Sequence, residues 1–539
     1  MPHLKAILRD AHLKSDLILR ARAMECISIV GKAVGKEKFR DDGKQVMEVV
    51  VSFQGLQAKA DDPSTWDMLT AFAVICECIE QELLTYISAA MPFLIQCVKL
   101  HFESDELDDT SIETIKIGDA ILWKKDDDPK EKAKACCSDP CATSANLYAQ
   151  SRQETDVSEV MAALLLSAKL AVEKGIAEGA YFKELSDHVI LALIEALHKE
   201  HVAEICQIML KELKNCLLIC GPLIDEGQLH QIVDELKHVI KESLNRKRKL
   251  TERTKSEDFD DEEAKVLADE EAQEDLIIVR VGTTLKTLIG TFKAAFMPFL
   301  DELLSYLIPM WGNDKPTVRF TSIYIFVSLV EECPEAALKY CDVFLPLLLD
   351  ETIDEDPMVR QYALYGVCLY AESGGSVFMP FVREALSRIN VVLMHFQAHE
   401  PVNEEAYDKA VSALCKICLL HRESIDSAQV IPIWLNCLPI KADLHEAKYV
   451  HDELCSMVER LDRDIIGHNY QYLPKIVSVF AEVVFSDEKD VSTEETANRM
   501  ISVLRHLQQT LPPATMESAW SYLLPHQEMT LKSLLSPEV

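Results

Sequence analysis

Apolar positions recur with a helical period along most of the chain, and the predicted helices come in pairs. In two stretches, apolar or small residues fall at i, i+3, i+4, i+7, i+8 and i+11, which places them on one face of a helix. These stripes are Val318, Thr321, Ser322, Ile325, Phe326 and Leu329, and Val359, Tyr362, Ala363, Gly366, Val367 and Tyr370. The offset between them is 359 − 318 = 41 residues. A two-helix unit with a period of about 40 to 47 residues is typical of HEAT repeats.

The turn before each stripe repeats a Pro-x-Val-Arg sequence. Pro316 and Pro357 are placed in the first helical turn, where a missing N–H costs nothing, and acidic residues precede both. The small residues on the stripes allow a neighbouring helix to approach closely. We interpret Arg319 and Arg360 as a stacking ladder that pairs with turn acids of the same or the adjacent unit, in preference to a ligand-binding role.

A second signature places a proline within an apolar segment of the first helix of several units. A proline inside a helix removes a backbone hydrogen bond and kinks it, so the repeated proline predicts curvature of the array. The prolines are Pro92, Pro298, Pro346, Pro380, Pro432 and Pro474.

The pattern divides the chain into five segments. HEAT repeats are expected over 1–121, 161–250 and 276–539, the last including the C-terminal helices. Residues 122–160 are polar and lack a 3.6-residue period, so we expect an irregular or disordered segment there. Residues 251–275 form an acidic insertion. Since the repeat pattern already runs within the first 30 residues, the sequence also suggests a truncated array.

Composition narrows the classes of partner. Lys and Arg total 55 against 89 Asp and Glu, giving a net charge of −34. This charge argues against direct nucleic-acid binding and favours a basic partner, although acidity that serves only solubility explains it equally well. The 17 cysteines are scattered through apolar stripes and are expected to be reduced, buried thiols. No apolar run reaches the length of a membrane span, and no secretory leader is evident.

No catalytic, cofactor or metal-binding residue is nominated. Gly31 to Lys36 has too few residues between its glycines for a phosphate loop, and we interpret it as a helix-ending turn. The thiols of Cys136, Cys137 and Cys141 lack a fourth ligand at zinc-site spacing. His198 and His201 lie one turn apart on an expected helix, and an exposed polar face is favoured over a metal pair. The chain is therefore not expected to be an enzyme.

Several short sequence segments resemble the C-terminal half of importin beta-3 type karyopherins, and the plant members of that family are the most similar. They occupy residues 24–31, 33–39, 309–312, 363–367, 371–378 and 434–440. The resemblance covers most of 1–121 and 161–539. It implies an all-α solenoid of HEAT repeats that carries protein cargo through nuclear pores, releases it to Ran-GTP and contacts phenylalanine-glycine nucleoporins. It also implies residence in the cytoplasm and nucleus, including the nuclear pore and envelope, and it places the main grip on Ran in repeats that this chain lacks.

The leading hypothesis is a nuclear import receptor, or a partial form of one, that holds basic cargo on an acidic concave face. Asp443, Glu446 and Glu453 share a helix face at i, i+3 and i+10 and are the candidate contacts. Trp434 and Asn436 are expected to be core and turn residues. The alternative is a HEAT scaffold for protein assembly without transport activity.

Overall fold

The computed structural model describes residues 1–10, 17–52, 113–117, 120–124, 165, 169, 172, 179–254, 261–486 and 491–535. The chain divides into two compact units, Met1–Phe292 and Lys293–Val539. Apart from one β-hairpin, the regular elements of the described residues are helices. This confirms an all-α HEAT-repeat fold.

The first unit consists of paired helices and the hairpin. Its helices are α1 (Pro2–Asp10), α2 (Leu17–Val34), α3 (Lys36–Ser52), α4 (Gly179–Lys199), α5 (Ala203–Cys220), α6 (Glu226–Arg253) and α7 (Asp261–Phe292). Helix α4 packs on α5 and α6, and α7 packs on α5 and α6.

Helix α2 ends before Gly35, whose φ is +81°, and the predicted helix-ending turn is therefore confirmed.

Two expected segment boundaries differ from the structure. Strands β1 (Glu113–Ile117) and β2 (Ala120–Lys124) pair antiparallel across the expected junction at 121, so HEAT repeats do not run unbroken to that point. Much of the expected acidic insertion belongs to α7. One of its acids is used internally: Glu274 accepts a bidentate hydrogen bond from Arg246 of α6 at 2.6 and 3.2 Å. Residues 125–160 lie outside the described residues.

The second unit is a series of helical hairpins. Its longer helices are α8 (Met297–Trp311), α9 (Pro316–Glu332), α10 (Cys341–Glu351), α11 (Pro357–Ser373), α12 (Val382–Leu393), α13 (Glu404–Leu420), α14 (Ser427–Asn436), α15 (Leu444–Glu459), α16 (Leu473–Val484), α17 (Glu494–Thr510), α18 (Pro513–Ala519) and α19 (Pro525–Leu535). Single-turn helices lie at Pro334–Ala337, Gly375–Phe378 and Arg463–Ile466. The second helices of successive hairpins, α9, α11, α13, α15 and α17, stack on one another.

The repeated turns act as the sequence predicts. Pro357 begins α11 and Asp356 caps it by accepting from the N–H groups of Met358 and Val359. Arg319 donates to both carboxylate oxygens of Asp354 in the next hairpin, at 3.0 and 2.7 Å. The predicted ladder is thus confirmed for this arginine.

Arg360 continues the ladder with neutral partners. It donates to the backbone carbonyls of Asp354 and Glu355 and to the side-chain oxygen of Asn403, one hairpin further on.

Small residues bring the stacked helices close together. A Cβ on Gly366 of α11 would lie 2.9 Å from atoms of both Val327 and Leu348. Nearby, the ring centroids of Phe326 and Phe344 are 3.6 Å apart. The predicted close approach of neighbouring helices is therefore confirmed at Gly366.

The signature prolines occupy different positions from those expected. Pro346 and Pro432 lie inside helices, as predicted. Pro298 and Pro474 instead lie at the first turn of α8 and α16, where a proline starts a helix without kinking it. Pro380 lies in a 3-10 turn before α12. A kink in every first helix is therefore wrong, and Pro92 lies outside the described residues.

Most of the described cysteines are buried free thiols, as expected, but Cys26 is exposed and Cys437 is half-buried. Trp434 is fully buried and Asn436 ends α14, which confirms their core and turn assignments. Among the described helices, none is long and apolar enough to cross a membrane.

Candidate partner-binding surface

Two of the three predicted contact residues are tied into an internal charge network. Asp443 caps α15 by accepting from the backbone N–H groups of His445 and Glu446, each at 3.1 Å. Its other oxygen lies 2.9 Å from Nζ of Lys409 on α13. Although burial opposes the effect, the hydrogen bond from Lys409 helps to lower the pKa of Asp443.

Glu446 lies deeper in the same network. It is 2% exposed, and its carboxylate accepts from Lys409 at 2.7 Å and from the Ser412 hydroxyl. Burial lowers the pKa of Lys409, but the pairing with Glu446 and Asp443 outweighs it and raises that pKa overall. This ion triad joins α13 to α15, so these two carboxylates are occupied within the protein.

Glu453 differs from the other two. It is half-buried two turns further along α15, and within the described part of the chain its carboxylate has no hydrogen bond or ion pair. It lies on the same helix as Glu446 and follows the cap residue Asp443, but it is not part of their charge network. Partner binding through the three residues stays a prediction, and Glu453 is the one whose carboxylate remains available.

A second carboxylate lies near the same part of the surface. Glu372 at the end of α11 has a side chain 51% exposed and pairs with Lys416 Nζ at 2.6 Å. Lys416 also lies over the ring of Tyr449, 4.9 Å from its centroid. Burial, with Cys415 and Glu453 adding to it, raises the pKa of Tyr449. Glu372 and Glu453 therefore both act electrostatically on one aromatic ring.

Half-buried aromatic rings extend this surface along α9 and α11. Phe320 contacts Tyr362 edge to face with centroids 4.7 Å apart, and Tyr324 lies 6.0 Å from Tyr362. Tyr365 is the next ring on α11; its hydroxyl donates to Glu331 at 3.2 Å, and its ring lies 4.5 Å from Lys409 Nζ. We call these four rings with Tyr449, Glu372 and Glu453 the aromatic-acidic strip.

An apolar cleft forms a separate feature of the second unit. It has a volume of about 530 Å³ and lies between the turn after α10 and the loop that joins α12 to α13. Ile353, Val391 and Val402 contribute apolar walls. Phe396, in the same loop, is 87% exposed, which is unusual for a large apolar side chain. The cleft is suited to apolar contacts, whereas the aromatic-acidic strip is suited to cations.

The aromatic part of the strip does not follow from the helical pattern of a single repeat. The sequence places Tyr362 on the stripe of one repeat, but its partial exposure and its contact with Phe320 depend on how closely adjacent hairpins stack. A signal was present, because Phe320 and Tyr324 precede Tyr362 and Tyr365 by about one repeat length.

Comparisons with known proteins agree with the architecture. The family model "Importin repeat 6" matches residues 205–313. A probable importin-5 homolog of Dictyostelium discoideum is 25% identical over 538 residues, covering 91% of this chain and 48% of the relative. Importin subunit beta-3 of Saccharomyces cerevisiae is 19% identical over 546 residues, covering 95% of this chain and 49% of the relative.

Solved structures with the same fold include Kap121p bound to RanGTP and Kap121p bound to Pho4p. Each has a TM-score of 0.51 with 99% of this chain covered, at 15% and 16% sequence identity. The match covers 50% and 49% of those chains, respectively. The chain thus spans about half the length of the proteins it matches, and over that span it resembles the importin beta-3 type of karyopherin.

Proposed function

We propose that the chain is part of a nuclear import receptor and that the aromatic-acidic strip binds a basic segment of protein cargo. The observation that carries this proposal is the placement of two carboxylates beside the half-buried ring of Tyr449: the half-exposed Glu372, and Glu453, which has no hydrogen bond or ion pair among the described residues. Lys and Arg side chains form charge-assisted hydrogen bonds with carboxylates and favourable contacts with ring faces. The net charge of −34 would add long-range attraction for such a segment.

The relatives support this proposal. Kap121p has been solved bound to RanGTP, to Pho4p, to Ste12p and to the SUMO protease Ulp1p, so a protein of the same fold binds both the GTPase and other proteins. For this chain we propose the same division of partners: protein cargo, with release when Ran-GTP binds. A receptor of this kind would act in the cytoplasm, the nucleus and the nuclear pore.

Binding of a fluorescent Lys/Arg-rich peptide to the full chain tests the cargo site. The double variant Glu372→Gln and Glu453→Gln should weaken binding about 2- to 10-fold, because each exposed ion pair contributes modestly. Higher salt should weaken wild-type binding more than it weakens binding by the variant. Glu335→Gln is the matched control, since Glu335 is exposed but lies outside the strip. An unchanged affinity in the double variant would contradict the proposed site.

Ran dependence is tested separately by adding Ran loaded with GTP or GDP to the peptide complex. The proposal expects Ran-GTP to displace the peptide and Ran-GDP to leave it bound. Peptide binding that is indifferent to both forms would favour a scaffold without transport activity. The internal pairing of Asp443 and Glu446 favours that second function, because it removes two acids from the surface available to cargo.

A further inference from the structure

Two histidines and a glutamate of the first unit converge on one point. His198 is in the last turn of α4, and Glu235 and His238 are on α6. One ligand atom from each lies within 4.8 Å of the other two. His198 Nδ1 lies 2.9 Å from Glu235 Oε2, and the two imidazole rings have centroids 4.3 Å apart.

The repeat architecture explains this convergence. Glu235 and His238 are separated by three positions, which places them on the same face of α6. His198 precedes His238 by 238 − 198 = 40 residues, about one repeat length, and α4 packs on α6. Stacking of adjacent repeats therefore brings equivalent positions together. The partner of His198 is supplied by the next repeat and not by His201, which lies beyond the end of α4 at Lys199 and is therefore not on the same helix, contrary to the expectation from the sequence.

Glu235 carries an atom that the protein leaves unused. Its side chain is 5% exposed, and while Oε2 bonds His198, the buried Oε1 has no hydrogen-bond partner among the described residues. Leaving a buried carboxylate oxygen without a partner is unfavourable. A bound cation would give this oxygen a partner and would also offset the burial of the carboxylate.

We propose that His198, Glu235 and His238 form a binding site for a divalent transition-metal ion of the zinc class. Two imidazole nitrogens and one carboxylate oxygen are a ligand set that zinc uses in proteins, with bonds of about 2.0 to 2.2 Å. Ligand atoms around such an ion are roughly 3 to 4 Å apart, so small side-chain rotations close the site. The side chain of His198 is 60% exposed, which gives access from solvent and room for a water ligand.

The metal would connect consecutive repeats. It replaces the hydrogen bond between His198 and Glu235 with bonds from both residues to one ion, and any proton held by the ligands is released. Because α4 and α6 belong to adjacent hairpins, the ion fixes their separation at this point. This inference does not rest on the proposed import function.

Isothermal titration calorimetry of the full chain with Zn²⁺, after removal of bound metal, tests the site. Wild-type protein should bind one equivalent of Zn²⁺. The affinity for Zn²⁺ should fall about 10- to 100-fold or more in His198→Ala, Glu235→Gln and His238→Ala, since loss of a ligand costs at least as much as loss of a supporting contact. His201→Ala is the matched control and should bind as wild type does. Equal binding by all the variants would overturn the proposal.

Cobalt spectroscopy separates this site from the 17 cysteines, because thiolate ligands give an intense charge-transfer band that imidazole and carboxylate ligands do not. The proposal expects Co²⁺ binding without that band, and unchanged binding after the thiols are alkylated. Binding that disappears on alkylation but survives His198→Ala would assign the metal to cysteines and overturn the site.

A metal-dependent shift of the melting temperature provides a second readout for variants with altered stability. Glu235→Gln preserves the size of the side chain and a carbonyl oxygen, so it is expected to fold. Zn²⁺ should raise the melting temperature of the wild type and of His201→Ala, but should raise that of Glu235→Gln much less. An equal rise in all three would also contradict the site.

Discussion

Two contacts between stacked helices of the second unit use the same hairpin geometry with opposite chemistry. In the first, which we call the apolar seam, α11 packs on α9 and α10 through Gly366, Val327 and Leu348. In the second, the charged seam, α15 packs on α13 through the ion triad of Lys409, Asp443 and Glu446. Both seams are largely shielded from water, but the apolar seam depends on close packing and the charged seam depends on ion pairing.

The two seams show that a repeat array can change the chemistry of its interfaces without changing its fold. An apolar seam accepts changes of polarity poorly and has no room for added atoms. A charged seam tolerates its buried ions only while each retains its partner, because an uncompensated charge is much more costly than the whole pair. The two seams should therefore fail under different perturbations.

Removing the cation of the charged seam should have the largest effect. Lys409→Met keeps the length of the side chain but leaves Glu446 and Asp443 without their shared ammonium group, which should cost about 3 to 5 kcal/mol. Hydrogen exchange measured by mass spectrometry should show this loss in peptides from α13 and α15. Peptides from α9, which does not contact Lys409, should change little.

A double variant separates charge from packing at this site. Adding Glu446→Gln to Lys409→Met removes one of the two buried carboxylates that have lost their cation. Amide hydrogens of the double variant should therefore exchange more slowly than those of Lys409→Met alone. If the effects of the two substitutions on stability were additive, the three residues would not act as one electrostatic unit.

Acidification should weaken α15 through His451. This side chain is fully buried, its Nδ1 donates to the Val491 carbonyl at 2.8 Å, and burial lowers its pKa to about 4. As the pH falls below about 6.5, this histidine takes up a proton in the unfolded state but not in the folded state. The free energy of unfolding is therefore highest above pH 6.5 and falls by roughly 3 kcal/mol towards pH 4. Hydrogen exchange of α15 peptides across this pH range, corrected for intrinsic exchange, measures the loss.

His451→Asn is the matched variant, because its amide can donate to the same carbonyl but does not titrate. It should flatten the pH dependence even if it lowers stability at every pH. The comparison between the two proteins is needed since burial raises the pKa of Asp408 to about 6, which acts in the opposite direction. Parallel pH profiles for wild type and His451→Asn would contradict the assignment.

Adding one methyl group should disturb the apolar seam. In Gly366→Ala the new Cβ would lie 2.9 Å from Val327 and Leu348, so the helices must move apart. The cost of overpacking, partly offset by the better helix propensity of alanine, should be about 1 to 2 kcal/mol and should appear in peptides from α9 and α11. Gly312→Ala is the control, because its Cβ would meet nothing within 4 Å and should change stability by less than about 0.5 kcal/mol.

The sequence predicted the features of the fold that depend on local chemistry. The stripe from Val359 to Tyr370, the proline that begins α11 and the pairing of Arg319 with a turn acid all follow from residue type and spacing along one or two helices. The burial of Glu446 could not be derived in this way. On α15 alone it has the spacing of an exposed acid, and only the approach of Lys409 from the preceding repeat makes it a core residue.

The same limit explains the histidine cluster. Spacing along one helix pairs His198 with His201, whereas His238 lies a repeat length away from His198. Candidate sites in this fold therefore need to be sought at the repeat period as well as at the helical period. Glu235 would still have been missed, because its unpartnered oxygen depends on the packing of α4 against α6.

The bonds that join the hairpins of the second unit have one further consequence. Five cationic side chains each bond a partner about one repeat length away, so each ties a repeat to its immediate neighbour. The separations are 35 residues for Arg319, 43 for Arg360, 37 for Lys409, 40 for Arg422 and 47 for Arg499. Under mechanical tension such links are loaded in series. Pulled from its ends, this unit would extend by the release of one hairpin after another, each adding about 140 Å of extended chain.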